Sequence, residues 1–247
     1  MKRYWLLLVL AMGSLGADAA EITVLSAGAM QPGLIAVAGP FLRESGHEIK
    51  VTYATAPELR KRIGAGEVAD VLLAPPAVIG ELVKSGRVAA NGHVALGRVG
   101  AGVVVRVGAS LPDISTADAL KRSLLEADSV VYNRASSGIY IETMLKKMGV
   151  YDQILPKITR YPDGTAVMHH LMKGRGREFG FGGVTDILMY RDKGLQLVGP
   201  LPAEVQNYTS YTAALITAGT NPDAGSAFIQ YLGSPAGKKL FSDNGIQ

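Results

Sequence analysis

Cysteine is absent from this 247-residue chain. Its absence excludes disulfides, cysteine-ligated zinc and thiol catalysis. Aromatic residues make up only 6% of the chain, the net charge is +4, and no basic stretch is interleaved with aromatics. That pattern does not fit a nucleic-acid surface, so no nucleic-acid partner is expected. Histidine occurs four times, and the one adjacent pair is His169-His170. Neighbouring residues on a helix point about 100° apart, so the pair does not chelate one ion. No metal and no cofactor is expected. The chain also has no G-x-S-x-G elbow, no Walker loop and no H-E-x-x-H. Val99-Gly100-Ala101-Gly102 is glycine-rich but lies in a β-rich run, so it does not read as a dinucleotide turn. There is no internal repeat and no low-complexity segment.

Long apolar runs are missing as well, apart from the first residues. Lys2 and Arg3 precede a short apolar run, Tyr4–Met12, and then the small-residue stretch Gly13–Ala20. Ala17-Asp18-Ala19 fits an A-x-A cleavage site, so residues 1–19 read as a secretory signal peptide. The run is too short to span a bilayer. Removing residues 1–19 leaves 228 residues and takes out Lys2, Arg3 and Asp18, so the net charge falls to +3. A cysteine-free exported protein is held by its core alone. With 48% apolar residues that core is available. The expected location is a bacterial periplasm.

What the chain does have is alternation of short β-rich runs and amphipathic helical segments, the pattern of an α/β protein with mainly parallel sheets. Strands are predicted at Ile22–Leu25, Ile49–Tyr53, Val71–Ala74, Ser129–Tyr132, Ile158–Tyr161, Glu178–Phe181 and Leu195–Val198. Most of them run into a helix. The helix after the first strand starts near Pro32 and should be kinked or shortened by Pro40. Thr55-Ala56-Pro57-Glu58 reads as a capping box. Val94–Val107 and Tyr208–Thr217 are long β-rich segments suited to crossing between two lobes. The division expected is 20–98 with 208–247 as one lobe and 99–207 as the other.

The chemistry is expected at the strand-to-helix turns: Ser26–Ala29, Thr55–Pro57, Arg134–Gly138, Gly182–Thr185 and, similarly, Asp163–Thr165. Each places small residues, hydroxyls or glycines at a helix start, where bare N–H groups and the positive dipole end make an anion site. The candidate ligand-binding residues are Ser26, Gly28, Ala29, Thr55, Ala56, Arg134, Ser136, Ser137, Tyr140, Thr165, Gly182 and Gly183. Arg134 would pair with a ligand carboxylate in bidentate fashion. Glu58, Tyr140 and His169 are the candidate bases, should the site move protons. A gap lined by acidic groups would contradict this picture.

ITVLSAGAM, VTYATAPELRKRIGAGEVADVLLAP, ASSGIYIETMLKKMGVYDQILPK and FIQYLGSPAGKKLF together resemble the periplasmic molybdate-binding proteins of ABC importers, over essentially the whole chain after residue 19. The resemblance implies a two-lobed type II periplasmic-binding fold with a ligand cleft between the lobes. It implies a monomer, a small anionic ligand and an ABC permease partner. The family's usual serine in the first turn is replaced by Ala29, and its serine-rich second turn is Thr55-Ala56-Pro57 here. A desolvated oxyanion loses roughly 1–3 kcal/mol for each missing donor, which favours an organic carboxylate over molybdate. Aconitate isomerase, which interconverts trans- and cis-aconitate, is an enzyme similar to this same family and stands as the alternative.

Overall fold

The computed structural model describes residues 19–247. The signal-peptide expectation falls, but for Ala19, outside them.

The first β-α pairs build one half of the molecule. Strand β1 (Glu21–Ala27) leads through a short 3-10 turn, Gly28–Met30, into α1 (Gln31–Ser45). Then follow β2 (Glu48–Ala54), α2 (Ala56–Gly64), β3 (Val71–Ala74) and α3 (Pro76–Lys84). β1 pairs in parallel with β2 on one side and β3 on the other. Helix α1 does not break at Pro40. Buried Val37 and Phe41 flank the proline and hold the segment against the core, while Gly46, at φ 76°, ends the helix in the left-handed region. Burial of such side chains stabilises by about 1.5–3 kcal/mol each, enough to offset one interior proline.

β4 (Val94–Arg106) ties the two halves together. Its first part, Val94–Gly100, pairs antiparallel with β9 (Tyr208–Leu215). Its second part, Ala101–Arg106, pairs with β7 (Glu178–Gly183) and β8 (Leu195–Pro200). β9 in turn pairs antiparallel with β3. The other half adds α4 (Ala117–Glu126), β5 (Ser129–Asn133), α5 (Ser136–Lys147), the single turn α6 (Tyr151–Ile154), β6 (Ile158–Tyr161), α7 (Gly164–Lys173) and the short α8 (Val184–Leu188). There β5 pairs in parallel with β6 and β7. The strand order is β2-β1-β3-β9-β4-β7-β5-β6, with β8 on β4. The parallel ladders lie in the β-α units, and the antiparallel ones belong to the crossing strands. Helices α9 (Pro222–Gly233) and α10 (Pro235–Asp243) close the first half by packing on α1.

The cores follow the same division. One cluster gathers Val24, Leu34, Phe41, Leu59, Leu72, Ala213, Phe228 and their neighbours. In the other half the sheet has a layer on each face. Val103, Val130 and Tyr132 feed one layer, and Val104 and Val131 the other. Adjacent residues of one strand face opposite ways, so a strand covered on both faces reads as a continuous apolar run.

Three features fix the crossing. Gln206 Oε1 accepts from the N–H groups of Ala101 (3.1 Å) and Asn207 (2.8 Å), and its Nε2 donates to the carbonyls of Ala101 (3.1 Å) and Leu201 (3.3 Å). The Arg98 guanidinium lies 4.1 Å from the centre of the Tyr208 ring. At Gly97, φ is 127°, and a β-carbon would lie 2.7 Å from the Gln247 carbonyl oxygen, so glycine is required twice over.

Candidate functional site

A cavity of about 420 Å³ opens between the two halves. That volume suits a small-molecule site. Its walls are helix starts. From one half come Ala27, Gly28 and Ala29 ahead of α1, and Ala54, Thr55 and Ala56 at α2. From the other come Ala135, Ser136 and Ser137 at α5, and Asp163, Gly164 and Thr165 at α7. A recess of about 30 Å³ continues inward, lined by Ala29, Gly100, Ser137, Gly183, Asp186, Thr209 and Tyr211 among others. Successive β-α units place their turns at the carboxyl ends of parallel strands, which is why turns distant in sequence meet here.

The amides at these starts are left open to different degrees. No side chain caps α2, although Thr55-x-x-Glu58 has the sequence of a capping box. Pro57 removes one of the two N–H groups that Thr55 could serve, and the Glu58 carboxylate turns to Lys61 Nζ at 4.0 Å. At α5, the Asn133 side chain supports the turn. Its Oδ1 accepts from Ala135 N (2.9 Å) and Gly138 N (3.2 Å), and its Nδ2 donates to Ser137 Oγ (3.2 Å). A β-carbon at residue 138 would collide with the Asn133 carbonyl, so only glycine lets the chain turn this tightly. At α7, Asp163 Oδ1 accepts from Ala166 N at 2.8 Å.

Of the residues expected at the site, Gly28, Ala29, Thr55, Ala56, Glu58, Ser136, Ser137 and Thr165 line the cavity, and Gly183 lines the recess. Others are not brought there. Ser26 is fully buried in β1, its hydroxyl donating to the Ala27 carbonyl at 3.1 Å. The space beside Gly182 is taken by Met168 and Ile187. Arg134 is exposed and outside the lining; its backbone N–H extends the β5–β6 ladder to the Tyr161 carbonyl at 2.8 Å. Tyr140 packs on the core of its own half and donates to the Val205 carbonyl at 2.8 Å. His169 sits on the exposed face of α7, edge-on to Tyr190. Sequence establishes that a residue is in a turn, but not which way its side chain leaves it.

Among the described residues lining the cavity and recess there is no lysine, arginine or histidine. There are three acids, Glu58, Asp163 and Asp186. The expectation of a gap without acidic groups is therefore corrected. Glu58 and Asp163 have partners. Asp186 has no hydrogen-bond partner among the described residues, and it lines both the cavity and the recess. Burial, with the nearby Asp163 charge, pushes its carboxyl up to about 6. Burial also pushes the Tyr53 phenol up to about 12, and burial together with the Asp186 charge raises that of Tyr211. Among the described residues no group of three or more His, Asp or Glu is placed to hold a metal ion.

The sequence from Ile22 to Gln247 matches the family model for bacterial extracellular solute-binding proteins. The chain belongs to that family. Among its relatives, an aconitate isomerase from Pseudomonas sp is 30% identical over 233 residues, covering 92% of this chain and 87% of that protein. The molybdate-binding protein ModA of Escherichia coli strain K12 is 26% identical over 241 residues, covering 95% and 91%. The periplasmic molybdate-binding protein of Azotobacter vinelandii shares the two-lobed fold with a TM-score of 0.78 at 14% identity, over 92% of this chain and 98% of that one. In this solute-binding protein, as its architecture requires, the cavity lies where the two lobes face each other.

Proposed function

We propose that this solute-binding protein acts in the periplasm, as a monomer, and closes on a small organic carboxylate for delivery to an ABC permease. The observation that carries the proposal is the meeting of helix starts from both halves on one cavity together with a partnerless aspartate. Helix-start amides hold anionic oxygens without cationic side chains. The aspartate argues against molybdate: a fully ionised, proton-free oxyanion offers nothing to a carboxylate and is repelled by it. A carboxylic ligand presents both kinds of surface, anionic oxygens for the amides and a carbon-borne or oxygen-borne hydrogen for Asp186.

Calorimetric titration with molybdate, sulfate, and a series of di- and tricarboxylates tests the proposal. A tricarboxylate should bind and molybdate should be silent. Molybdate binding more tightly than every carboxylate would overturn it. A second reading, isomerisation of aconitate in the same cleft, is favoured by the same aspartate and by the likeness to the Pseudomonas protein. Proton NMR of trans-aconitate incubated with the purified protein separates the two.

A further inference from the structure

Every other acid in the cavity wall is occupied, while Asp186 stands free at its inner end. Two glycines frame it. A β-carbon at Gly164 would lie 3.1 Å from Asp186 Oδ2, and one at Gly183 would lie 3.3 Å away. The carboxylate thus abuts bare backbone at the start of α7 and the end of β7, and its open side is the cavity. The titratable groups around it are Asp163 from the α7 start and Tyr211 from β9, with Tyr53 of β2 and Glu58 of α2 farther along the lining. No cationic side chain of the described lining neutralises it.

We propose that Asp186 is the proton-carrying base of the cleft, moving a hydrogen between two carbons of a bound unsaturated carboxylate. The proposal rests on the isomerase reading. In the step, one Asp186 oxygen takes a proton from the methylene carbon next to a carboxylate. The C–H bonding pair shifts into the allylic system, and its charge spreads onto the ligand's carboxylate oxygens. Amides at the helix starts face that growing charge, as an oxyanion site does. The same Asp186 oxygen then delivers the proton to the carbon at the far end of the allyl unit, and the double bond has moved by one position. Atoms and electrons balance with no oxidant or second reactant. Poor solvation and the Asp163 charge make this carboxylate a stronger base than an ordinary one, which a carbon acid needs.

The test uses the full folded protein with trans-aconitate in D2O, followed by proton NMR, beside calorimetry with the same compound. The wild type should exchange the methylene hydrogens for deuterium and form the cis isomer, with a rate that rises with pH to a plateau above about pH 6. Asp186→Asn should lose about 10²–10⁴-fold in exchange while binding trans-aconitate within tenfold of the wild type. Asp186→Glu, which keeps a carboxylate, should regain part of the exchange, and circular dichroism checks that both variants fold. Exchange that persists in Asp186→Asn overturns the assignment. Tight binding with neither exchange nor conversion to the cis isomer in the wild type also overturns it and leaves the carrier reading standing. Absence of binding by any carboxylate removes the ligand proposal itself.

Discussion

Asp70, buried at the foot of β3, and Asp186, half-buried on the cavity wall, are treated in opposite ways. Asp70 is 1% exposed, at the foot of β3. Its Oδ2 accepts from Thr23 N and Thr23 Oγ1, both at 2.8 Å, and its Oδ1 accepts from Asn221 N at 2.8 Å. Burial pushes its proton affinity up, but these donors outweigh burial and the carboxyl sits below the ordinary range. It locks β1, β3 and the start of α9 together. Asp186 has burial without donors, and its carboxyl is pushed up to about 6. The lesson is that a buried charge serves the fold when the fold supplies its donors. When the fold withholds them, the group is left for something that enters from outside.

The largest effect should come from Asp70→Ala. It leaves the Thr23 and Asn221 N–H groups orphaned and should cost about 3–5 kcal/mol in urea denaturation. A loss below about 1 kcal/mol would break the comparison. Next, Asp186→Asn should stabilise by about 1–3 kcal/mol at pH 8. The sign follows from the raised carboxyl. Between its ordinary value of 3.8 and about 6 the folded state holds a proton that the unfolded state has released, so stability falls as pH rises through that window. The gain from Asp186→Asn should therefore vanish by about pH 4. Asp70 has the opposite sign: its contribution is complete above the unfolded value and is lost as pH falls through its lowered one. Carbon-13 NMR of labelled aspartates should show both behaviours in one sample. A smaller effect is expected from Ser137→Ala, which removes the acceptor of the 3.2 Å bond from Asn133 and should cost about 1 kcal/mol, read by thermal denaturation. The smallest is Gly164→Ala. Its β-carbon would crowd Asp186 at 3.1 Å, costing under about 1 kcal/mol while raising the Asp186 midpoint further.

Much of the architecture was legible in the sequence. The alternation of β-rich runs and helices predicts the β-α units, and the length of Val94–Val107 marks the strand that passes from one sheet to the other. The turns at Gly28, Thr55, Ser136 and Thr165 were legible because small residues before an apolar period signal a helix start. Asp186 was not. It lies in the first turn of α8, where an acid is an ordinary partner of the helix dipole, and nothing local distinguishes it from Asp118 in α4. Its isolation comes from glycines at 164 and 183, one of them far away in sequence. Arg134 is the converse case: its turn is legible, but its side chain is exposed and outside the lining, and the direction a long side chain takes from a turn is not written in the local sequence.

The meeting of Ala101 N with the Asn207 carbonyl, at 3.0 Å, has a practical consequence. The segment between them leaves and re-enters the rest of the molecule at almost a single point, so in genetic terms it is an insert. Replacing it with a few glycines would ask no stretch of the remaining chain, and the excised piece could be closed head to tail. Each product would carry half of the pocket wall, so the grip of either half on a carboxylate could be weighed without the other.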